Sequence, residues 1–367
     1  MKIISKYLTV LIAMWMMLIQ PVWALTAVPP TDDGFLYTGR VDHSEPEKPL
    51  ISWPGTSIKA NITGDKLIIV MDDKNGKNYF NVILNGQDRY PAVLELKKGL
   101  HEYDLSYLLF DNEQAVNQLE IFKRTEGHEG GTRFLGLKLA DDAKLSAKPQ
   151  PLKRKIAYFG DSITSGMGNE GADTGSDHNE AEKNHYLSYA SITARNLDAE
   201  HHSISLSGIG FMVSWFDFIM PQYYDQVSGI GNNDTQWDFS NWQPDVVVVN
   251  LGQNDSWLID NEKRLKPEPT GREIIDAYKN LFNQFKQHYP NAKFISALGS
   301  MDATKPARAH WPEYIKTAVN ELNQTDKKHK IEFVTFDFNG FHGHPRVAQH
   351  VRNAEKLTAK IKQIMNW

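Results

Sequence analysis

The run Val246-Val247-Val248-Val249, set between Asp245 and Asn250-Leu251, constrains this chain most strongly. Four consecutive β-branched residues favour an extended backbone, and a run without polar alternation reads as a strand buried on both faces. Such a strand needs a layer above and a layer below, which points to a parallel sheet between helices. Similar segments recur at Lys155-Ile156-Ala157-Tyr158-Phe159, Ser203-Ile204-Ser205-Leu206, Lys293 to Leu298 and Glu332 to Phe336. Helical stripes separate the later ones. Tyr278, Leu281, Phe282, Phe285 and Tyr289 share one face, as do Trp311, Tyr314, Ile315, Ala318 and Leu322. Ala354, Leu357, Ile361, Ile364 and Met365 form a last stripe. Residues 155–367 are therefore expected to form a three-layer α/β domain, with any site at the C-terminal ends of its strands.

The preceding part has a different period. Ser57 to Ile62 alternates, Leu67 to Met71 is a short apolar run, and Gln118 to Phe122 and Thr132 to Leu139 alternate again. Tyr79 to Leu84 runs into Asn85-Gly86, a turn pair that tolerates positive φ at both positions. No helical stripe interrupts this stretch, so residues 36–145 read as a β-sandwich. Ala27 to Asp33 reads as a polar lead-in. Residues 146–154, with Pro149 and Pro151, read as a linker. A chain of 367 residues has room for both domains.

Residues 1–24 stand apart. Lys2 and Lys6 precede an uncharged, mostly apolar stretch from Tyr7 to Ile19, then Pro21 and a small residue, Ala24. This is the three-part pattern of a secretory signal peptide cut after Ala24. The apolar run is short for a bilayer span, so no membrane attachment is expected after cleavage. The expected location is outside the cytoplasm, periplasmic or extracellular. With 40 basic and 45 acidic residues the net charge is −5, and removal of Lys2 and Lys6 leaves 38 − 45 = −7. No basic block suggests a nucleic-acid partner. Cysteine is absent, which excludes disulfides, thiolate metal sites and a cysteine nucleophile. No heptad or interface stripe speaks to oligomeric state.

Four short segments carry residues suited to chemistry. Gly160-Asp161-Ser162 follows a predicted strand, where the Ser162 hydroxyl can act as a nucleophile if a base takes its proton. Taken alone, Ser162 reads almost equally well as a helix cap. Ser207-Gly208-Ile209-Gly210 follows another strand, and Gly208 lets a backbone N–H approach a substrate closely. Leu251-Gly252-Gln253-Asn254-Asp255 places an amide side chain at a third strand end, where it can donate to a developing oxyanion. His342-Gly343-His344-Pro345 precedes the last helix, and a loop histidine there can act as general base. Two histidines are too few ligands for a metal site, so no metal is expected.

The order of these pieces matters more than any one of them. Gly-Asp-Ser, then Gly, then Gly-x-Asn-Asp, then His-Pro near the C-terminus resembles the four-block order of the SGNH (GDSL-type) hydrolases. The resemblance implies Ser162 as nucleophile, His344 as base, and an oxyanion hole made by the N–H groups of Ser162 and Gly208 and the side chain of Asn254. It implies no cofactor. Members often carry an Asp three residues before the histidine. Here that residue is Phe341, while Asp337 and Asn339 have other spacings. A Ser–His dyad is therefore supported at least as well as a triad.

The N-terminal half narrows the resemblance. Ser52-Trp53-Pro54-Gly55-Thr56-Ser57-Ile58, and Ile121 to Glu126 with Phe134-Leu135-Gly136, are similar to the sandwich of carbohydrate esterase family 2. That likeness implies a jelly-roll domain joined to an SGNH domain, and deacetylation of xylan- or mannan-type chains. Acetylated polysaccharide or oligosaccharide is then the expected partner. Trp257, two residues past Asp255, is a candidate sugar-binding aromatic, with core packing as an equal reading. Packing is the expected role of Trp215 and Trp311, and Trp53 is expected to be structural within the sandwich. The polar segment Asn169 to Asn184 is expected to be a solvated insertion without a role, with a loop beside the cleft that affects specificity as the other reading. Two other readings stand beside this one: an SGNH lipase or thioesterase, and a carbohydrate-binding protein with an inactive hydrolase domain.

Overall fold

A computed structural model describes residues 25–89, 91–110, 114–141, 143–341 and 343–367. The signal-peptide reading of residues 1–24, and His342, lie outside the described residues.

Eleven short strands build the N-terminal domain: β1 (Leu25–Val28), β2 (Leu36–Thr38), β3 (Val41–Asp42), β4 (Leu50–Ile51), β5 (Ser57–Ile62), β6 (Leu67–Asp73), β7 (Tyr79–Leu84), β8 (Ala92–Glu95), β9 (Gly99–Asp104), β10 (Asn117–Lys123) and β11 (Thr132–Ala140). They form two antiparallel sheets, β3-β4-β11-β6-β9 with β1 added to β11, and β2-β5-β10-β7-β8. Alternation along the strands sends Ile58, Ile69, Met71, Phe80, Val82, Ile121 and Phe134 into one core. Asn85 and Gly86 take the expected positive φ values of 52° and 71°. The segment read as a lead-in contributes structure, because Leu25–Val28 pairs with Leu137–Ala140.

The C-terminal domain holds a parallel five-stranded sheet: β12 (Arg154–Gly160), β13 (Ala199–Ser205), β14 (Val246–Asn250), β15 (Lys293–Leu298) and β16 (Ile331–Thr335), in the order β13-β12-β14-β15-β16. The valine run is fully buried in β14, with Val247 and Val249 in one core and Val246 and Val248 in the other. The helices are α1 (Ser162–Ser165), α2 (Tyr189–Asn196), α3 (Gln253–Asp260), α4 (Gly271–His288), α5 (His310–Thr325) and α6 (Val347–Met365). The stripe of Tyr278, Leu281, Phe282 and Phe285 on α4 and that of Trp311, Ile315, Ala318 and Leu322 on α5 join the first core. Ala354, Leu357 and Ile361 on α6 join the second. Register aligns the strand ends, with Gly160 beside both Ser205 and Asn250. Ser162, Gly208 and Asn254 each follow one of these three positions by a few residues.

The two domains are packed hard together. The buried Arg40 guanidinium donates to the carbonyls of Tyr224 and Gln226. Trp53 donates from its indole to the Val227 carbonyl at 2.7 Å and packs in the α/β domain's core. Its structural role is thus at the domain boundary, which corrects the expectation that it serves the sandwich alone. Gly127 shows how close the approach is, since a Cβ there would overlap the Gly229 carbonyl.

Candidate active site

Ser162 is the first residue of α1 and is only 4% exposed. The cap of that short helix is Asp161, whose carboxylate accepts the Ile163 N–H at 3.0 Å. The capping role is therefore taken by its neighbour, and the Ser162 hydroxyl is left for other work. Burial raises the Asp161 carboxyl to about 7, partly offset by that N–H.

His344 lies in the loop between β16 and α6. Its Nε2 is 2.7 Å from Ser162 Oγ. Its Nδ1 is 2.7 Å from Oδ2 of Asp177, which also accepts the His344 backbone N–H at 3.1 Å. Three groups thus stand in line: hydroxyl, imidazole and carboxylate. Burial alone would raise the Asp177 carboxyl, but hydrogen bonds from His344 and Arg346, with the His344 charge, hold it well below the usual range. Arg346 binds the second oxygen, Asp177 Oδ1, at 2.5 Å. The same guanidinium donates to the carbonyls of Gly168 and Ala172, so it fixes the loop as well as the acid.

Asp177 belongs to the polar segment Asn169 to Asn184, which was expected to have no role. That expectation is corrected, because the segment delivers a carboxylate to the histidine. Neither sequence candidate for that place reaches the ring. Asp337 is almost fully exposed and pairs with Lys356 at 3.4 Å. Asn339 donates to the Gly343 carbonyl and so shapes the histidine loop. Phe341 packs its ring 5.7 Å from the Arg346 guanidinium.

The donors expected for an oxyanion gather at the same cleft. Ser162, Gly208, Asn254 and His344 all line a cavity of about 860 Å³ between the domains. Gly208 has φ of +92°, a backbone that side-chain-bearing residues disfavour. Asn254 gives one amide hydrogen to the Ile209 carbonyl at 2.9 Å, and its amide has a second to offer. Asp255 accepts the N–H groups of Phe211, Met212 and Val213, which fixes the loop that follows Gly208. Burial raises Asp255 to about 6 against these three bonds.

The tryptophans fall differently from expectation. Trp257 does not line the cleft; its indole donates to Glu262 and faces the Arg308 guanidinium 5.8 Å away. Trp215 does line it, beside Gly208 and with Phe216, and is 49% exposed. Trp215 was expected to pack in the core, and its position corrects that. Trp311 is fully buried and donates to Asp260, as expected of a packing residue. The remaining cleft wall has polar side chains from the sandwich, among them Lys77, Lys98, Glu126 and His128, and from the α/β domain, among them His178 and Lys183, with Met167 adding an apolar surface.

Known proteins share both halves. Residues 37–149 match the carbohydrate esterase 2 N-terminal family, and residues 158–358 match the GDSL-like lipase/acylhydrolase family. The chain is 33% identical over 350 residues to the cellulase/esterase CelE of Acetivibrio thermocellus, covering 91% of this chain and 40% of that protein's length. It is 25% identical over 338 residues to an acetylxylan esterase/glucomannan deacetylase of Cellvibrio japonicus, covering 90% of this chain and 88% of the relative. A family two carbohydrate esterase from Clostridium thermocellum, solved with cellohexaose, superposes with a TM-score of 0.81 at 32% identity, covering 91% of this chain and all of the other. The arrangement of serine, histidine and parallel sheet is that of a GDSL-type hydrolase. Within that class, the chain belongs to carbohydrate esterase family 2. It is accordingly a carboxylic ester hydrolase.

Proposed function

We propose that the protein removes O-acetyl groups from plant-type polysaccharides such as xylan or glucomannan, through an acetyl-enzyme on Ser162. The observation that carries this reading is the line from Ser162 Oγ through His344 to Asp177, with 2.7 Å at each step. Asp177 accepts the Nδ1 proton, which leaves Nε2 as the acceptor facing the serine. Ser162 Oγ attacks the acetyl carbonyl carbon and passes its proton to Nε2. The carbonyl oxygen becomes an oxyanion facing the N–H groups of Ser162 and Gly208 and the Asn254 amide. Collapse breaks the ester bond, and His344 gives its proton to the departing sugar oxygen. Water then attacks the acetyl-enzyme with His344 as base, releasing acetate and restoring the serine hydroxyl.

The walls support a polar polymer over a long acyl chain. The wide cleft carries amide, lysine, histidine and carboxylate side chains beside an apolar surface from Met167, Trp215 and Phe216. Trp215 offers an exposed ring beside the oxyanion loop, suited to stacking on the C–H face of a sugar. Export is part of the proposal. Cleavage after Ala24 keeps every strand of the sandwich among the described residues, β1 (Leu25–Val28) included. No helix among the described residues is long and apolar enough to cross a membrane.

The test is acetate release by the chain from Leu25 onward, from acetylated xylan and acetylated glucomannan, compared with a medium-chain acyl ester. The glycans are expected to be the better substrates. Cleavage of the medium-chain ester alone would overturn the polysaccharide assignment.

A further inference from the structure

Glu126 follows the last strand-like residues of β10 and belongs to the sandwich, yet it points into the other domain. It is 3% exposed. Its Oε2 accepts the backbone N–H of Ser207 at 2.7 Å. The Ser165 hydroxyl, close to this carboxyl group, donates to Ser205 Oγ at 2.9 Å. Ser207 immediately precedes Gly208, and Ser165 closes the helix that opens with Ser162. One side chain from the sandwich therefore holds the loop that presents Gly208.

The loop is held at its far side too. Asp255 takes the N–H groups of Phe211, Met212 and Val213. A buried N–H left without its acceptor carries the cost of lost hydration, so these bonds hold the loop firmly. Between these two anchors the Gly208 N–H has little freedom. The seat of Glu126 is itself built. Glu129 beside it pairs with Lys183, and Lys123 donates to the carbonyls of Thr125 and Glu126. Gly127 follows at a contact with Gly229 too close for any side chain.

We infer that Glu126 is a positioning residue for ester hydrolysis, supplied by the sandwich, which sets the Gly208 N–H of the oxyanion hole through its hydrogen bond to Ser207. The inference rests on the Ser162 reading given above. It also gives the sandwich a part in catalysis beyond bracing. Oxyanion stabilisation depends on donors placed before the reaction begins, and a misplacement of about 1 Å can cost about 10²-fold in rate.

The experiment compares Glu126→Ala, Glu126→Gln and Glu126→Asp with the parent and with Ser162→Ala, using a small aryl acetate at saturating and limiting concentrations. Folding is checked by near-UV circular dichroism. Glu126→Ala is expected to lose about 10²-fold in kcat with KM within about threefold. Glu126→Gln keeps an acceptor for the Ser207 N–H and is expected to recover most of that loss. If Glu126→Ala does not fold, Glu126→Asp carries the comparison, since its shorter side chain draws away from Ser207 and kcat is expected to fall at constant KM. Parent-like kcat in the folded Ala variant, or in Asp where Ala does not fold, overturns the inference. So does equal loss in Gln and the shortest variant that folds. A parent enzyme indifferent to Ser162→Ala overturns the underlying reading instead, and the two failures are thereby told apart.

Discussion

Asp177 and His344 lie 167 residues apart in sequence, yet Oδ2 of the first is 2.7 Å from Nδ1 of the second. The carboxylate comes from a loop that follows the helix opened by Ser162, not from the segment that carries the histidine. Arg346, two residues past His344, holds the other oxygen of Asp177. The histidine's own segment thus supplies the cation that keeps its distant acid in place.

Replacing Asp177 by Asn should lower kcat by about 10²- to 10⁴-fold with little change in KM, because the imidazole loses the partner that fixes its tautomer. Steady-state kinetics check it. A parent-like kcat would show that Asp177 does not act on the base.

Asn254→Ala should reduce kcat by about 10²- to 10³-fold while KM for a small acetate ester changes little, as expected for a donor used mainly in the transition state. A rise in KM with kcat preserved would assign Asn254 to ground-state binding.

Trp215→Ala should raise KM for acetylated xylan by about fivefold, consistent with loss of one stacking contact worth about 1 kcal/mol. The effect on a small aryl acetate, which has no sugar to stack, should be much smaller. Equal effects on both substrates would place Trp215 in support of the Gly208 loop it touches.

Asp161 gives a stability test. Its carboxyl is raised from 3.8 to about 7 by burial, so the folded state holds a proton that the unfolded state releases. The stability tied to that proton is present below about pH 4 and is lost as pH rises through about 7. Asp161→Asn keeps a cap for Ile163 but does not titrate. The melting temperature of the variant relative to the parent should therefore rise between pH 4 and pH 8. A constant difference across that range would contradict it.

Most of the fold was legible because each element has its own period. The valine run of β14 and the stripe on α4 are local signals, and their buried faces are those the sequence indicates. Ser162, Gly208 and Asn254 were legible for a related reason. Parallel register brings the ends of β12, β13 and β14 level, so residues just past those ends must share one rim. Asp177 offered no such signal. It sits among Glu170, Asp173, Glu180 and Glu182 in a segment whose composition is that of a solvated loop. Only the packing of Arg346 against Gly168 and Ala172 selects it. The one available hint was Arg346 itself, a cation placed just after His344-Pro345 and in need of an acid. Trp257 illustrates the converse. Its nearness in sequence to Asn254 suggested the cleft, but on α3 its side chain turns towards Glu262 and Arg308.

The central claim is an acetyl group carried on Ser162 by the His344–Asp177 pair. Its most direct test is mass spectrometry of peptides from enzyme quenched in acid while turning over an acetyl ester, with Asp177→Asn included to slow release of the acyl group. The account predicts one added acetyl mass on the peptide containing Ser162, absent in Ser162→Ala. An acetylated peptide elsewhere that persists in Ser162→Ala, together with undiminished acetate release by that variant, would contradict it.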